Sequence, residues 1–225
     1  MKKLLLAVIV SLSTISTAAL AEIKVGIILG FTGPIESLTP AMRDGAKLAF
    51  QEASDSGNLL GGETFTILEA DSTCVDAAAA TAAAEGLVAD GVAAIMGADC
   101  SGVTKAINAS VAVPNGILMV SPSATSPALS KVPDAGTFWR TAPSDAKGGQ
   151  ILAQIALDRG LTSVAITYEN SDYGKGLSEV FAAAFAAGGG TVTTNDPHEN
   201  GKGDYSAEVG VLASAGGDAL AVLGY

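Results

Sequence analysis

Short apolar runs alternate with helix-length amphipathic or Ala-rich segments along most of the chain. The apolar runs predict strands, which cover residues 23–29, 64–69, 92–96, 116–120, 163–167, 191–194 and 219–223. The segments between them predict helices, one starting at Thr39-Pro40 and the others at 77–89, 103–113, 146–159, 175–187 and 206–215. The first run is nearly continuous, which is typical of a strand buried on both faces of a parallel sheet. Alternation at this spacing predicts an α/β fold with doubly wound parallel sheets.

The segment 131–143 interrupts the alternation. It carries Pro133, Gly136 and Pro143 around Phe138-Trp139-Arg140, and we interpret it as a short strand and a crossover between two lobes. Residues 22–142 are then the N-terminal ligand-binding lobe and residues 143–225 the second lobe. The pattern stops at a strand that no helix follows, so we expect the second lobe to be incomplete and the chain to be a fragment of a longer one.

The first 21 residues have the pattern of a secretory signal peptide. Lys2 and Lys3 precede an apolar run at 4–12, and Ala19-Leu20-Ala21 forms an A-x-A cleavage site. No later stretch reaches the roughly 18–20 apolar residues of a membrane span. Without Lys2 and Lys3, 10 basic residues remain against 23 acidic ones, a net charge of −13. The chain is therefore expected to be exported, and its charge argues against nucleic acid and anionic membranes as partners.

The chain has two cysteines, Cys74 and Cys100. An isolated pair in an exported chain favours a disulfide, and each cysteine follows a predicted strand, which places both at one edge of the sheet. The alternative is two free, half-buried thiols. A metal site is disfavoured, because His198 is the sole histidine and two cysteines cannot fill four positions.

No enzyme signature stands out, and no cofactor is implied. The chain lacks a G-x-x-x-x-G-K-[ST] phosphate loop, a G-x-G-x-x-G after the first strand and a G-x-S-x-G nucleophile elbow. A Ser–His–Asp triad would have to use His198, which we expect in a solvated polar loop at 196–201.

Two hydroxyl-rich loops follow neighbouring predicted strands, at 99–102 and 121–126. Loops at the carboxyl ends of parallel strands meet at one edge of the sheet, where ligands bind. Hydroxyls and backbone N–H groups there suit the carboxylate and ammonium of a small zwitterion. The alternative is that the Ser- and Pro-rich stretch is only a turn.

A third polar segment, 168–176, follows a strand of the second lobe and leads into a helix. It is expected to face the hydroxyl loops across a cleft. Tyr173 could cap an apolar ligand side chain or hydrogen-bond through its hydroxyl. The alternative is a surface tyrosine at the start of a helix.

Several motifs resemble those of the periplasmic leucine/isoleucine/valine-binding proteins, the amino-acid and amide receptors of ABC importers with the two-lobed type I fold. The matching segments are Ile23-Lys24-Val25-Gly26, Phe31-Thr32-Gly33-Pro34, 71–74, Cys100-Ser101, 122–127, Phe138-Trp139-Arg140-Thr141, Tyr173-Gly174-Lys175-Gly176 and Gly224-Tyr225. The resemblance runs from Glu22 to the last residue, and both cysteines match the family's disulfide positions.

The resemblance implies a set of ligand-binding residues. In the first lobe, Ser101 and Thr125 would bind the ligand α-carboxylate and ammonium, with the main chain of Ser123 and the adjoining Ala124 in the same loop. From the second lobe, Tyr173 and Tyr225 would approach the ligand.

One position of the expected ligand pocket differs from the family's pattern, and one ligand-binding residue of the family has no counterpart within this sequence. Leu38 stands where branched-chain binders often carry an aromatic residue, so a different side-chain pocket is expected. The family's acidic partner for the ligand ammonium lies beyond Tyr225.

The resemblance therefore predicts a non-enzymatic periplasmic receptor that closes on a small amino acid, branched-chain or related, or on an amide. Hinge closure around a ligand is a recognised switching mode, and the closed form would be presented to the membrane permease. The rival functions are a ligand-sensing domain of a signalling receptor with the same fold, and an exported hydrolase.

Overall fold

The computed structural model describes residues 22–225, and the predicted signal peptide lies outside this range. The first sheet has five parallel strands: β1 (Glu22–Leu29), β2 (Thr64–Asp71), β3 (Ala94–Gly97), β4 (Leu118–Ser121) and β5 (Phe138–Arg140). Their order is β2-β1-β3-β4-β5. The helices of this half are α1 (Thr39–Asp55), α2 (Ala77–Ala89) and α3 (Ser101–Ile107), the last continuing through a π-helical turn (Asn108–Ala112) into the short α4 (Val113–Asn115).

The second sheet has three parallel strands in the order β7-β6-β8. They are β6 (Ser163–Glu169), β7 (Thr191–His198) and β8 (Ala219–Leu223), and their helices are α5 (Asp145–Asp158), α6 (Asp172–Ala187) and α7 (Ser206–Ala215). The predicted α/β class with parallel sheets is confirmed.

Each sheet has its own hydrophobic core. In the first, β1 lies between β2 and β3, and the fully buried Ile28 packs with Ile95 and Met119. In the second, Ile166 of β6 packs with Phe181 and Phe185 of α6. The near-continuous apolar run of β1 is buried because neighbouring strands flank it on both edges and side chains cover it on both faces.

The loop between β6 and α6 is shorter than the sequence pattern predicts. Strand β6 extends to Glu169 and α6 begins at Asp172, so only Asn170 and Ser171 join them. The Ser171 side chain accepts the Gly174 N–H at 3.1 Å, which caps α6 and lets the helix begin early. Tyr173 therefore lies in the first turn of a helix.

The placement of His198 in a solvated loop is wrong, because His198 is the last residue of β7. Its Nδ1 lies 2.8 Å from Thr167 Oγ1, whose own hydrogen is donated to the Asp196 carbonyl at 3.0 Å. This contact, together with the Asn170 N–H that donates to the His198 carbonyl at 2.8 Å, holds His198 beside β6. Among the described residues, no helix is both long and apolar enough to cross a membrane.

Candidate functional site

A buried carboxylate, Asp99, ties together the loops at the carboxyl edge of the first sheet. It accepts the Gly30 N–H at 2.7 Å and the Ser72 hydroxyl at 3.0 Å, as well as the Cys100 N–H at 3.0 Å. These partners follow β1, β2 and β3, so one side chain that is 2% exposed fixes three loops. Sequence reasoning assigned Asp99 no role, although an acidic residue two positions after the end of a buried strand was a usable signal.

The predicted disulfide joins Cys74 and Cys100, with an S–S distance of 2.05 Å and a Cα–Cα distance of 5.1 Å. It connects the loop after β2 to the loop after β3, beside Asp99. Both sulfurs are therefore paired, and the free-thiol alternative is wrong for this structure.

The hydroxyl-rich loop after β4 lies against the start of α3. Ser101 is buried in the first turn of α3, and its Oγ accepts the Ser126 N–H at 3.1 Å. The Ser123 hydroxyl donates to the Asp99 carbonyl at 3.0 Å, and the Ala124 N–H donates to Ser121 Oγ at 3.0 Å. The two loops are thus one hydrogen-bonded unit, and the Ala124 amide is already engaged within the protein.

Thr125 differs from its neighbours in this loop. Its carbonyl accepts the Asp145 N–H at 3.0 Å, which links the loop to the start of α5. Among residues 22–225, the half-buried Thr125 hydroxyl makes no hydrogen bond, so it can still donate and accept.

Arg140 of β5 anchors the same loop through its guanidinium group. Its Nη1 donates to the Ala124 carbonyl at 3.1 Å and to the Ser126 carbonyl at 2.9 Å, and Nη2 donates to Ser130 Oγ at 2.6 Å. Burial lowers the pKa of this guanidinium, which nevertheless stays charged at neutral pH. The loop geometry around Thr125 therefore does not depend on the Thr125 hydroxyl.

Tyr173 and Tyr225 form a stacked pair on the side of the second sheet, with ring centroids 4.7 Å apart and planes 17° apart. The Tyr225 hydroxyl accepts the Ser101 N–H at 3.2 Å and so connects the two halves. Tyr225 is 41% exposed overall, yet desolvation of its hydroxyl end raises the phenol pKa well above 10. Burial also raises the pKa of Tyr173, with further contributions from the charges of Asp145 and Glu169. Both phenols are neutral near pH 7.

The two halves meet at two further points. Lys105 Nζ of α3 lies 3.2 Å from Asp172 Oδ1 of α6, a partly exposed ion pair. Gly176 of α6 faces the loop after β4, where a Cβ would stand 2.9 Å from Ser126 Oγ and 3.0 Å from Pro127 Cδ. A Cβ at the second contact would have to displace the Ser126 side chain or separate the two halves.

A cleft of about 600 Å³ opens between the halves. The wall on the side of the first sheet consists of Pro34, Cys74, Val75, Ala77, Gly102 and Val103. The wall on the side of the second sheet consists of Glu169, Asn170, Ser171, Asp172, Glu199, Asn200, Gly201 and Tyr225. Of the predicted ligand residues only Tyr225 lines this cleft. Ser101 and Tyr173 do not line it but contact Tyr225, the first through its N–H and the second by ring stacking. Ser123, Ala124 and Thr125 are not among the lining residues. Within the described range, no group of three or more His, Cys, Asp or Glu side chains is arranged to hold a metal ion.

Family membership follows from a comparison with known sequences. The sequence model described as "Periplasmic binding protein" matches residues 22–225. The chain therefore belongs to the periplasmic binding protein family, and its fold is the α/β type I fold of that family.

Two individual relatives show which members of the family this chain is similar to. A Leu/Ile/Val-binding protein of Rhizobium johnstonii is 32% identical over 206 residues, which are 91% of this chain and 55% of the relative. The leucine-specific-binding protein of Salmonella typhimurium is 29% identical over 224 residues, 99% of this chain and 60% of the relative. The chain thus spans little more than half the length of these relatives.

Solved structures show the same fold. A leucine binding protein from Thermotoga maritima superposes with a TM-score of 0.76 at 27% identity, covering 89% of this chain and 55% of that one. A branched-chain amino acid substrate-binding protein from Streptococcus pneumoniae, in complex with isoleucine, gives 0.75 at 25% identity and covers 90% and 57%. A solute binding protein of R. palustris in complex with 4-hydroxybenzoate gives 0.77 at 21% identity and covers 90% and 54%, which is a likeness of fold alone.

Proposed function

We propose that this chain binds a small amino acid with an aliphatic side chain between lobes 22–142 and 143–225. In the whole protein it would act in the periplasm and deliver the ligand to the membrane permease of an ABC importer, without chemical change. The observation that carries the proposal is the contact between Ser101 and Tyr225. It joins the hydroxyl loops of one sheet to the aromatic pair beside the other.

The charged ends of a free amino acid determine which groups the site needs. A carboxylate and an ammonium lose water when lobes close over them, and each must find hydrogen-bonding partners. Among the described residues, the Thr125 hydroxyl makes no hydrogen bond. The Ser101 oxygen accepts the Ser126 N–H, and the hydrogen of the Ser101 hydroxyl remains available to donate. We assign these two hydroxyls to the ligand's charged ends, with the main chain of Ser123 and Ala124 beside them.

The tyrosine pair and the cleft wall would receive the rest of the ligand. Tyr173 and Tyr225 close over the site from the second lobe. Pro34, Val75 and Val103 give the opposite wall an apolar character that suits an aliphatic side chain. Leu38 is 56% exposed and lines none of this cleft, so we assign it no part in side-chain selection.

The relatives support this class of ligand. The proteins named above from Rhizobium johnstonii and Salmonella typhimurium carry leucine, isoleucine or valine in their names, and the Streptococcus pneumoniae structure holds isoleucine. None of these named relatives is a signalling receptor or a hydrolase, so neither rival function gains support from them.

Isothermal titration calorimetry with a ligand panel tests the proposal. The panel contains leucine, isoleucine, valine, glutamate and a small aliphatic amide, each incubated with the protein and then recovered. We expect an aliphatic amino acid to bind best and to be recovered unchanged. Binding of none of these, or chemical conversion of the bound compound, would contradict the proposal.

A further inference from the structure

Glu169 is a buried carboxylate at the carboxyl end of β6. It is 5% exposed, and among residues 22–225 no Lys, Arg or His nitrogen lies within 4.0 Å of it. Its Oε2 accepts the backbone N–H of Tyr225 at 3.0 Å. A buried carboxylate is costly unless its oxygens accept hydrogen bonds, so this bond fixes the two groups relative to each other.

The packing around Glu169 leaves it little freedom to move. A Cβ on Gly174 would stand 2.4 Å from the Glu169 carbonyl oxygen, and a Cβ on Gly224 would stand 2.9 Å from Glu169 Cβ. Two neighbouring segments can approach this closely only because they present glycines. Glu169 is therefore wedged between the first turn of α6 and the end of β8.

A continuous path leads from this carboxylate to the other half of the molecule. Glu169 holds the main chain of Tyr225, the Tyr225 ring stacks on Tyr173, and the Tyr225 hydroxyl meets the Ser101 N–H at 3.2 Å. Tyr225 follows directly after Gly224, so the bond from Glu169 restrains a backbone that a glycine would otherwise leave free.

We propose that Glu169 is a positioning residue, which holds Tyr225 in place across the cleft through its acceptor oxygen and not through its charge. This inference rests on the proposed function, since it makes amino-acid affinity depend on how Glu169, which itself lines the cleft, holds Tyr225. Glu199 offers a matched control. It lines the same cleft, but its carboxylate accepts from Asn170 Nδ2 at 2.7 Å and makes no hydrogen bond to Tyr225.

The first measurement needs no ligand. Amide hydrogen exchange at Tyr225 and Ser101 is followed by NMR in the ¹⁵N-labelled protein for Glu169→Ala, Glu169→Gln and Glu199→Ala. Leaving a buried N–H without an acceptor corresponds to a change of about 5- to 150-fold, whether or not the lost acceptor was charged. We expect both amides to exchange faster by a factor in this range in Glu169→Ala, and to stay protected in Glu169→Gln and Glu199→Ala. Should Glu169→Ala fail to fold, Glu169→Asp takes its place, because it is shorter by one methylene and cannot reach Tyr225.

The second measurement is calorimetry with L-leucine as the probe. Glu169→Ala should weaken binding by at least about 10-fold, and Glu169→Gln should restore it to within about threefold of the parent, because the amide oxygen still accepts from Tyr225. A Gln variant as weak as the Ala variant would show that the charge matters and would overturn the inference. Unchanged exchange at Tyr225 and Ser101 in Glu169→Ala would overturn it as well. If the parent binds no member of the panel, the proposed function fails, while the exchange data still decide whether Glu169 positions Tyr225.

Discussion

Replacing Thr125 by valine removes one hydroxyl from the proposed site and changes little else. Valine has nearly the same shape as threonine, and the hydroxyl makes no hydrogen bond within the described chain. The main chain around it stays anchored, because the Thr125 carbonyl accepts from Asp145 and Arg140 holds the carbonyl of Ala124. The variant should therefore fold like the parent, and its thermal unfolding is the check.

The expected loss of affinity follows from the charge on the ligand. A hydrogen bond to a charged group is worth about 1.5–3 kcal/mol, so Thr125→Val should weaken binding by about 10- to 150-fold. Thr125→Ser keeps the hydroxyl and loses only a methyl group. It should bind within about fivefold of the parent, since a methyl group contributes about 0.8 kcal/mol.

Calorimetry with the ligand that binds best in the panel measures both variants, with Ser101→Ala as a second probe of the site. The reasoning predicts weak binding by Thr125→Val and Ser101→Ala, and near-parent binding by Thr125→Ser. If Thr125→Val and Ser101→Ala both bind as tightly as the parent, the assignment of the charged ends to these hydroxyls is wrong, whatever the fold.

Three further predictions follow from the geometry. Reduction of the Cys74–Cys100 bond, which closes a loop of 26 positions, should lower the free energy of unfolding by about 3–4 kcal/mol, measured by denaturant titration with and without reductant. Gly176→Ala should wedge the lobes apart and weaken ligand binding without lowering the melting temperature, because its Cβ would meet Ser126 between the halves; unchanged affinity would refute the close contact. The raised pKa of Tyr225 means that the folded state keeps the phenol proton longer, so stability should fall as the pH rises above about 10, and denaturant titration should show a smaller fall for Tyr225→Phe.

Local pattern alone predicted much of this protein. The strand and helix alternation follows from side-chain periodicity, and parallel strands bring their following loops to one edge wherever the chain runs. For that reason the sequence alone predicts that Cys74 lies near Cys100 and that the two hydroxyl loops lie near each other. The bounds of α2 and α7 also agree with the pattern, since an Ala-rich helix that ends before a turn needs no distant partner.

Tertiary structure decided the contacts that join residues distant in sequence. Asp99 bonds to Gly30 over 69 residues, Glu169 to Tyr225 over 56, and Tyr225 to Ser101 over 124. Periodicity carries no signal for such pairs, because the value of a buried carboxylate depends on which donors the fold brings to it. His198 is a case in which a tertiary contact overrides the local pattern. Its polar neighbours predicted a loop, and a hydrogen bond to Thr167 on the adjacent strand keeps it in the sheet.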